Sequence, residues 1–114
     1  MWDMLDAART ASRFICGKTL DDFLSDRMLR AAVERNLEIV GEAARHVSEA
    51  ERAAHPDIPW GAVIGMRNII AHEYGEILHE KVWLVCTDRL PSLIDQLVGA
   101  GAESASPKDR TKTD

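Results

Sequence analysis

Apolar residues recur every three or four positions along nearly the whole chain, and no stretch of useful length alternates with a period of two. That pattern draws an apolar stripe down one side of a helix, so it restricts the chain to helices packed on helices. Leu5, Ala8, Ser12 and Ile15 step in this way, and Gly17 follows as a stop. Thr19, with Asp22 three positions later, has the form of a capping box for a short helix carrying Leu20, Phe23 and Leu24. Ser25 is the expected cap of a long helix with the core stripe Leu29, Val33, Leu37, Val40, Ala44 and Val47. Gly41 lies inside that helix, where glycine is costly, and this predicts a close helix–helix approach.

The segment His55-Pro56-Asp57-Ile58-Pro59 cannot continue a helix, because each proline lacks an N–H donor and pushes the residue before it toward extended geometry. A further helix is predicted from about Pro59 to Tyr74, with Gly75 as its stop. A last helix is predicted over Ile77 to Val98, buried through Leu78, Val82, Val85, Leu93 and Leu97, and kinked or broken at Pro91. Val82 to Cys86 could be a short buried strand in isolation, but it has no partner strand and sits in a helical pattern. The expected fold is all-α, an up-and-down bundle of four main helices plus a short helix, over residues 1–99. Residues 100–114 are rich in Ser, Thr, Lys, Asp and Pro and read as a disordered tail.

Composition narrows the function classes. A chain of 114 residues, 46 % hydrophobic and 29 % charged, suits one globular domain rather than wholesale disorder. No apolar run reaches the roughly 18 residues of a membrane span, and the start MWDMLDAART lacks the pattern of a secretory signal. Cys16 and Cys86 are too few for a disulfide framework and lie in no metal-type spacing, so a cytoplasmic setting fits. The net charge of −5 argues against a general nucleic-acid coat but leaves room for a local basic site.

The unusual polar content lies in Met66-Arg67-Asn68-Ile69-Ile70-Ala71-His72-Glu73-Tyr74. At about 100° per residue, Asn68 and His72 lie nearly above one another, Arg67 and Tyr74 are about 20° apart, and Arg67 and His72 about 140° apart. One helix does not aim Arg67 and His72 at one phosphate, whereas two copies in a symmetric dimer could share a cleft. Arginine offers a permanently charged fork to phosphate oxygens, and histidine moves protons near neutrality, so the pair suits phosphodiester cleavage. The ordinary alternative is a surface arginine and a hydrogen-bonded histidine. Tyr74, the one tyrosine, reads first as an amphipathic plug at a helix end. Trp60 and Trp83 read as core or interface anchors. Glu42 is either a partner for a basic group across the Gly41 contact or a solvated glutamate. His46, His55, His72 and His79 form no His-x-x-x-His pair, and no phosphate-cradling glycine loop is present, so no metal or cofactor is expected.

Three stretches together resemble one family: Arg35 to Ala43 (RNLEIVGEA), Pro56 to Trp60 (PDIPW), and Met66 to Tyr74. Their order and separation are similar to those of the HepT-like toxins, within the HEPN superfamily of all-α RNA-cleaving domains. Val82-Trp83 followed by Leu90-Pro91 is similar to the family's last helix. The family signature, Arg, four residues, His, one residue, Tyr, is complete as Arg67, His72 and Tyr74. The resemblance implies a metal-independent endoribonuclease acting as a homodimer on RNA, with Arg67 and His72 catalytic and Asn68 supporting them. It further implies the toxin half of a type VII toxin–antitoxin system. A cognate MntA-type nucleotidyltransferase would silence it by placing AMP on Tyr74. Arg27, Arg30, Arg35 and Arg45 could form a basic rim for RNA, or a solvated face. The competing reading is a non-catalytic helical dimer that binds the nucleotidyltransferase or a nucleotide.

Overall fold

A computed structural model describes residues 1–105. All regular structure among them is helical. Helix α1 (Trp2–Ile15) ends ahead of Gly17, which takes a left-handed φ of 76°. Helix α2 (Leu20–Ser25) opens on the expected box: Asp22 N–H donates to the Thr19 hydroxyl at 3.1 Å, and Thr19 N–H donates to the Asp22 carboxylate at 2.9 Å. Helix α3 (Arg27–Arg45) is capped by Asp26, which accepts from Leu29 N–H, and not by Ser25. The Ser25 hydroxyl instead donates back to the Asp22 carbonyl, and so belongs to the end of α2.

Helix α4 (Glu49–Ala54) was not foreseen, because it buries nothing and carries no apolar stripe. Its signal was the cap: Ser48 followed by Glu51 three positions on, with Ser48 accepting from Glu51 N–H. Arg52 on α4 donates to the carbonyls of Ala44, Arg45 and Val47, satisfying the otherwise open end of α3.

The helix expected from Pro59 to Tyr74 is two short helices, α5 (Trp60–Ile64) and α6 (Met66–His72), divided at Gly65. It also ends early. Glu73 and Tyr74 are extended, and Gly75, expected as a stop, is the first residue of α7 (Gly75–Leu84) with φ of 60°. Only glycine takes that angle at little cost, so the residue that punctuates the chain here opens a helix rather than closing one. The last helix is interrupted as Pro91 predicted, by a π-helical turn, Val85–Arg89, before α8 (Leu90–Gly99). Proline has no N–H for the carbonyl one turn back, and a wider turn accommodates the lost bond. Thr87 of that turn donates its hydroxyl back to the Trp83 carbonyl of α7.

The core runs along the α1–α3 pairing and is closed by α7 and α8. Val33, Leu37, Val40 and Ala44 of the predicted stripe are buried in one cluster with Met4, Leu5 and Ala8 of α1 and Leu90 and Leu97 of α8, and α3 packs chiefly on α1. Phe23 is fully buried and its ring lies 5.5 Å from that of Trp83, which pins α2 to α7. Trp60 donates its indole N–H to the carbonyls of Arg52 and His55, so it holds the proline segment as an anchor. Part of the stretch read as tail is regular structure. Ala102–Ala105 form a 3-10 turn, Ala102 is buried, and Glu103 pairs with Arg9 of α1. Residues 106–114 lie outside the described part.

Candidate functional site

Gly41 determines how the site is built. A Cβ placed there would fall 2.9 Å from Arg67 Cγ, 3.3 Å from the Val63 carbonyl and 3.4 Å from the Ile64 carbonyl. The hydrogen of glycine therefore lets the α5–α6 junction lie directly on α3, with the Arg67 stem crossing it. This is the close approach that a mid-helix glycine predicted.

Glu42, the next residue, meets the arginine head. Arg67 Nη1 is 2.9 Å from Glu42 Oε2. The same carboxylate takes Arg45 at 3.6 Å and His46 Nε2 at 3.2 Å, so three basic side chains converge on it. Of the two readings open for Glu42, the structure gives the ion pair. A shallow hollow beside the pair is lined by Glu38, Arg67, Ile70 and Ala71.

The remaining motif residues stand in the open. Asn68 is exposed, and His72, also exposed, closes the last turn of α6. Both share a face about a third of a turn from Arg67. Tyr74 is 79 % exposed, so it is no plug. It precedes α7 in extended backbone, which cancels the helical relation to Arg67 that spacing suggested. Glu73 turns the other way and takes Lys81 of α7 at 2.6 Å, fixing the α6–α7 corner from which Tyr74 projects.

The four arginines of α3 separate. Arg30 is half-buried and donates to the carbonyls of Phe23 and Leu24, closing the end of α2, so its charge is committed to the fold. Arg35 is exposed and pairs with Glu38 at 3.7 Å, and Arg45 pairs with Glu42. Arg27 is exposed. The edge of α3 nearest Arg67 thus carries carboxylates as well as arginines.

One titratable pair escaped sequence reasoning. Burial raises the Glu34 carboxyl above its ordinary range; nearby His79 and Arg30 oppose this and Glu38 reinforces it. His79 Nδ1 is buried with no hydrogen-bond partner. Neither residue had a spacing signal, because α3 and α7 meet only in the folded chain. Among the described residues no group of three or more His, Cys, Asp or Glu is arranged to hold a metal ion. No helix among them is long and apolar enough to cross a membrane.

The described domain is all-α and exposes an Arg–Asn–His set on one short helix, with a tyrosine at the following corner. The chain belongs to the Ribonuclease HepT-like family, whose model matches residues 4–98. It is 32 % identical over 93 residues to "Putative RNase MJ1380" of Methanocaldococcus jannaschii, covering 82 % of this chain and 85 % of that one. It is 32 % identical over 91 residues to "Probable ribonuclease HepT" of Thermococcus cleftensis, covering 80 % and 83 %. It is 33 % identical over 81 residues to "Putative RNase TTE0752" of Caldanaerobacter subterraneus, covering 71 % and 72 %. No solved structure matches the chain.

Proposed function

We propose that this protein is an endoribonuclease toxin that cleaves RNA without a metal ion. The observation that carries the reading is the exposure of Arg67, Asn68 and His72 on one helix of a HepT-like chain. In the reaction, a ribose 2′-oxygen attacks the adjacent phosphorus as His72 takes or relays its proton. The P–O5′ bond breaks, the leaving oxygen is protonated, and a 2′,3′-cyclic phosphate remains. Arg67 offsets the charge that gathers on the phosphorane oxygens. Asn68, beside His72, orients the imidazole or a phosphate oxygen.

The working unit in this reading is a symmetric dimer. Ile77 and Leu84 lie seven residues apart on α7, hence on one face, and are 59 % and 54 % exposed. These two exposed apolar side chains, with Glu80 and Lys81 between them, adjoin the corner bearing Tyr74 and support a two-fold contact beside the motif. Such a dimer lets one copy supply Arg67 and the other His72, which one helix does not aim together. Tyr74, exposed and close in sequence to His72, takes AMP onto its phenol oxygen from ATP held by an MntA-type nucleotidyltransferase, as the α–β phosphate bond breaks and pyrophosphate leaves. The added phosphate charge would repel the RNA backbone from Arg67. This is the arrangement of a type VII toxin–antitoxin pair, working in the cytoplasm.

The test is RNA cleavage in EDTA with intact mass measured on the same sample. Unmodified wild type cleaves, leaving cyclic phosphate ends, and Arg67→Ala and His72→Ala each lose about a hundredfold or more. Co-expression with the nucleotidyltransferase adds mass in steps of AMP, and Tyr74→Phe abolishes the addition. An unmodified wild type that leaves RNA intact would replace this reading with the non-catalytic binding dimer.

A further inference from the structure

We infer that Glu42 is a positioning residue for Arg67: its carboxylate, brought against the guanidinium by the glycine at 41, sets the direction in which the arginine fork meets a phosphate. This rests on the ribonuclease reading above.

Arg67 is held at two points. Its stem crosses Gly41, where a Cβ would lie 2.9 Å from Cγ. Its head meets Glu42 Oε2 through Nη1 at 2.9 Å and makes no other ion pair among the described residues. An arginine side chain is rich in rotamers, and this double hold restricts them before any substrate arrives. A guanidinium has five N–H donors, so contact at Nη1 leaves the rest of the fork for phosphate oxygens.

The carboxylate is itself braced. Arg45 and His46, one turn along α3, sit at 3.6 Å and 3.2 Å from its oxygens. Support therefore runs from the α3 helix surface to Glu42, and from Glu42 to Arg67. Glu38 lines the same hollow but pairs with Arg35 instead. Stability does not account for the contact. The Arg67 and Glu42 side chains are 43 % and 46 % exposed, and an ion pair so open to water adds little to folding. What it controls is geometry, where a displacement of about 1 Å is enough to cost on the order of a hundredfold in rate.

The experiment compares wild type, Glu42→Ala and Glu42→Gln as full chains in unmodified form. Cleavage kinetics on a fluorescent RNA are read beside the Arg67 Nε–H resonance, assigned by its loss in Arg67→Lys. Glu42→Ala is expected to lower kcat about tenfold or more, with KM unchanged or lower and the unfolding temperature held. Glu42→Gln keeps an acceptor of the same shape and recovers most of the rate. In Glu42→Ala the Arg67 resonance moves and broadens. A Glu42→Ala enzyme with wild-type kcat, or one whose loss lies in KM alone, overturns the inference. If wild type cleaves no RNA, the functional reading fails separately. The resonance then decides: an Arg67 signal identical with and without Glu42 rejects positioning, and a displaced one upholds it.

Discussion

At the residue scale, one hydrogen atom decides where the motif arginine sits. Gly41→Ala forces its Cβ into the Arg67 stem and tight against two backbone carbonyls that cannot swing aside. The expected cost is about 1–3 kcal/mol of stability, as for other overpacked contacts, measured by urea unfolding, with cleavage lost beyond what stability explains. Glu34 makes the opposite case. Burial raises its carboxyl, so the ionised form works against the fold at neutral pH. Below the ordinary glutamate range both folded and unfolded states are protonated and that penalty vanishes. Glu34→Gln is therefore expected to raise the unfolding temperature at pH 7, with the advantage shrinking as the pH falls toward 4. A thermal series across that range checks it.

At the element scale, short helices survive on caps and single anchors. Helix α2 has six residues, too few for independent stability, and depends on its Thr19–Asp22 box and on the burial of Phe23 against Trp83. Phe23→Ala is expected to cost about 3–5 kcal/mol by calorimetry or denaturant. It also frees the α2 carbonyls that Arg30 now closes. Helix α6 is similarly short, and its boundaries were the hardest to read. Val63, Met66 and Ile70 step by three and four across Gly65, so residue spacing does not mark the break between α5 and α6. The break at Gly65 and the extended turn at Glu73 and Tyr74 answer to packing against α3 and α7. The interruption ahead of Pro91 was legible because a missing N–H is a property of the residue and not of its neighbours.

At the scale of the whole molecule, two measurements address the closed core and the open α7 face. Cys86 is buried and its thiol is pushed up to about 12, whereas Cys16 is exposed. A thiol reagent at neutral pH is expected to label one cysteine quickly and the second only at the rate of unfolding. For the α7 face, Ile77→Glu with Leu84→Glu places two charges at its two exposed apolar positions. The expected result is a shift from dimer to monomer by sedimentation, with helix content retained and RNA cleavage lost. A monomeric wild type would remove the shared cleft from the proposed mechanism.

Helix formation, the stripe on α3, the capping box at Thr19 and the Arg67–His72–Tyr74 spacing were all readable from residue order. Each depends on interactions within a turn or two of chain, or on the chemistry of one side chain. That the basic group facing Glu42 is Arg67, that Arg30 is spent on α2, and that Glu34 and His79 have buried faces were not. Those depend on which helices touch, and at what distance. The mid-helix glycine at 41 lies between the two cases. Residue order showed that some element must come close there, but only the folded chain showed that the element was the one carrying Arg67.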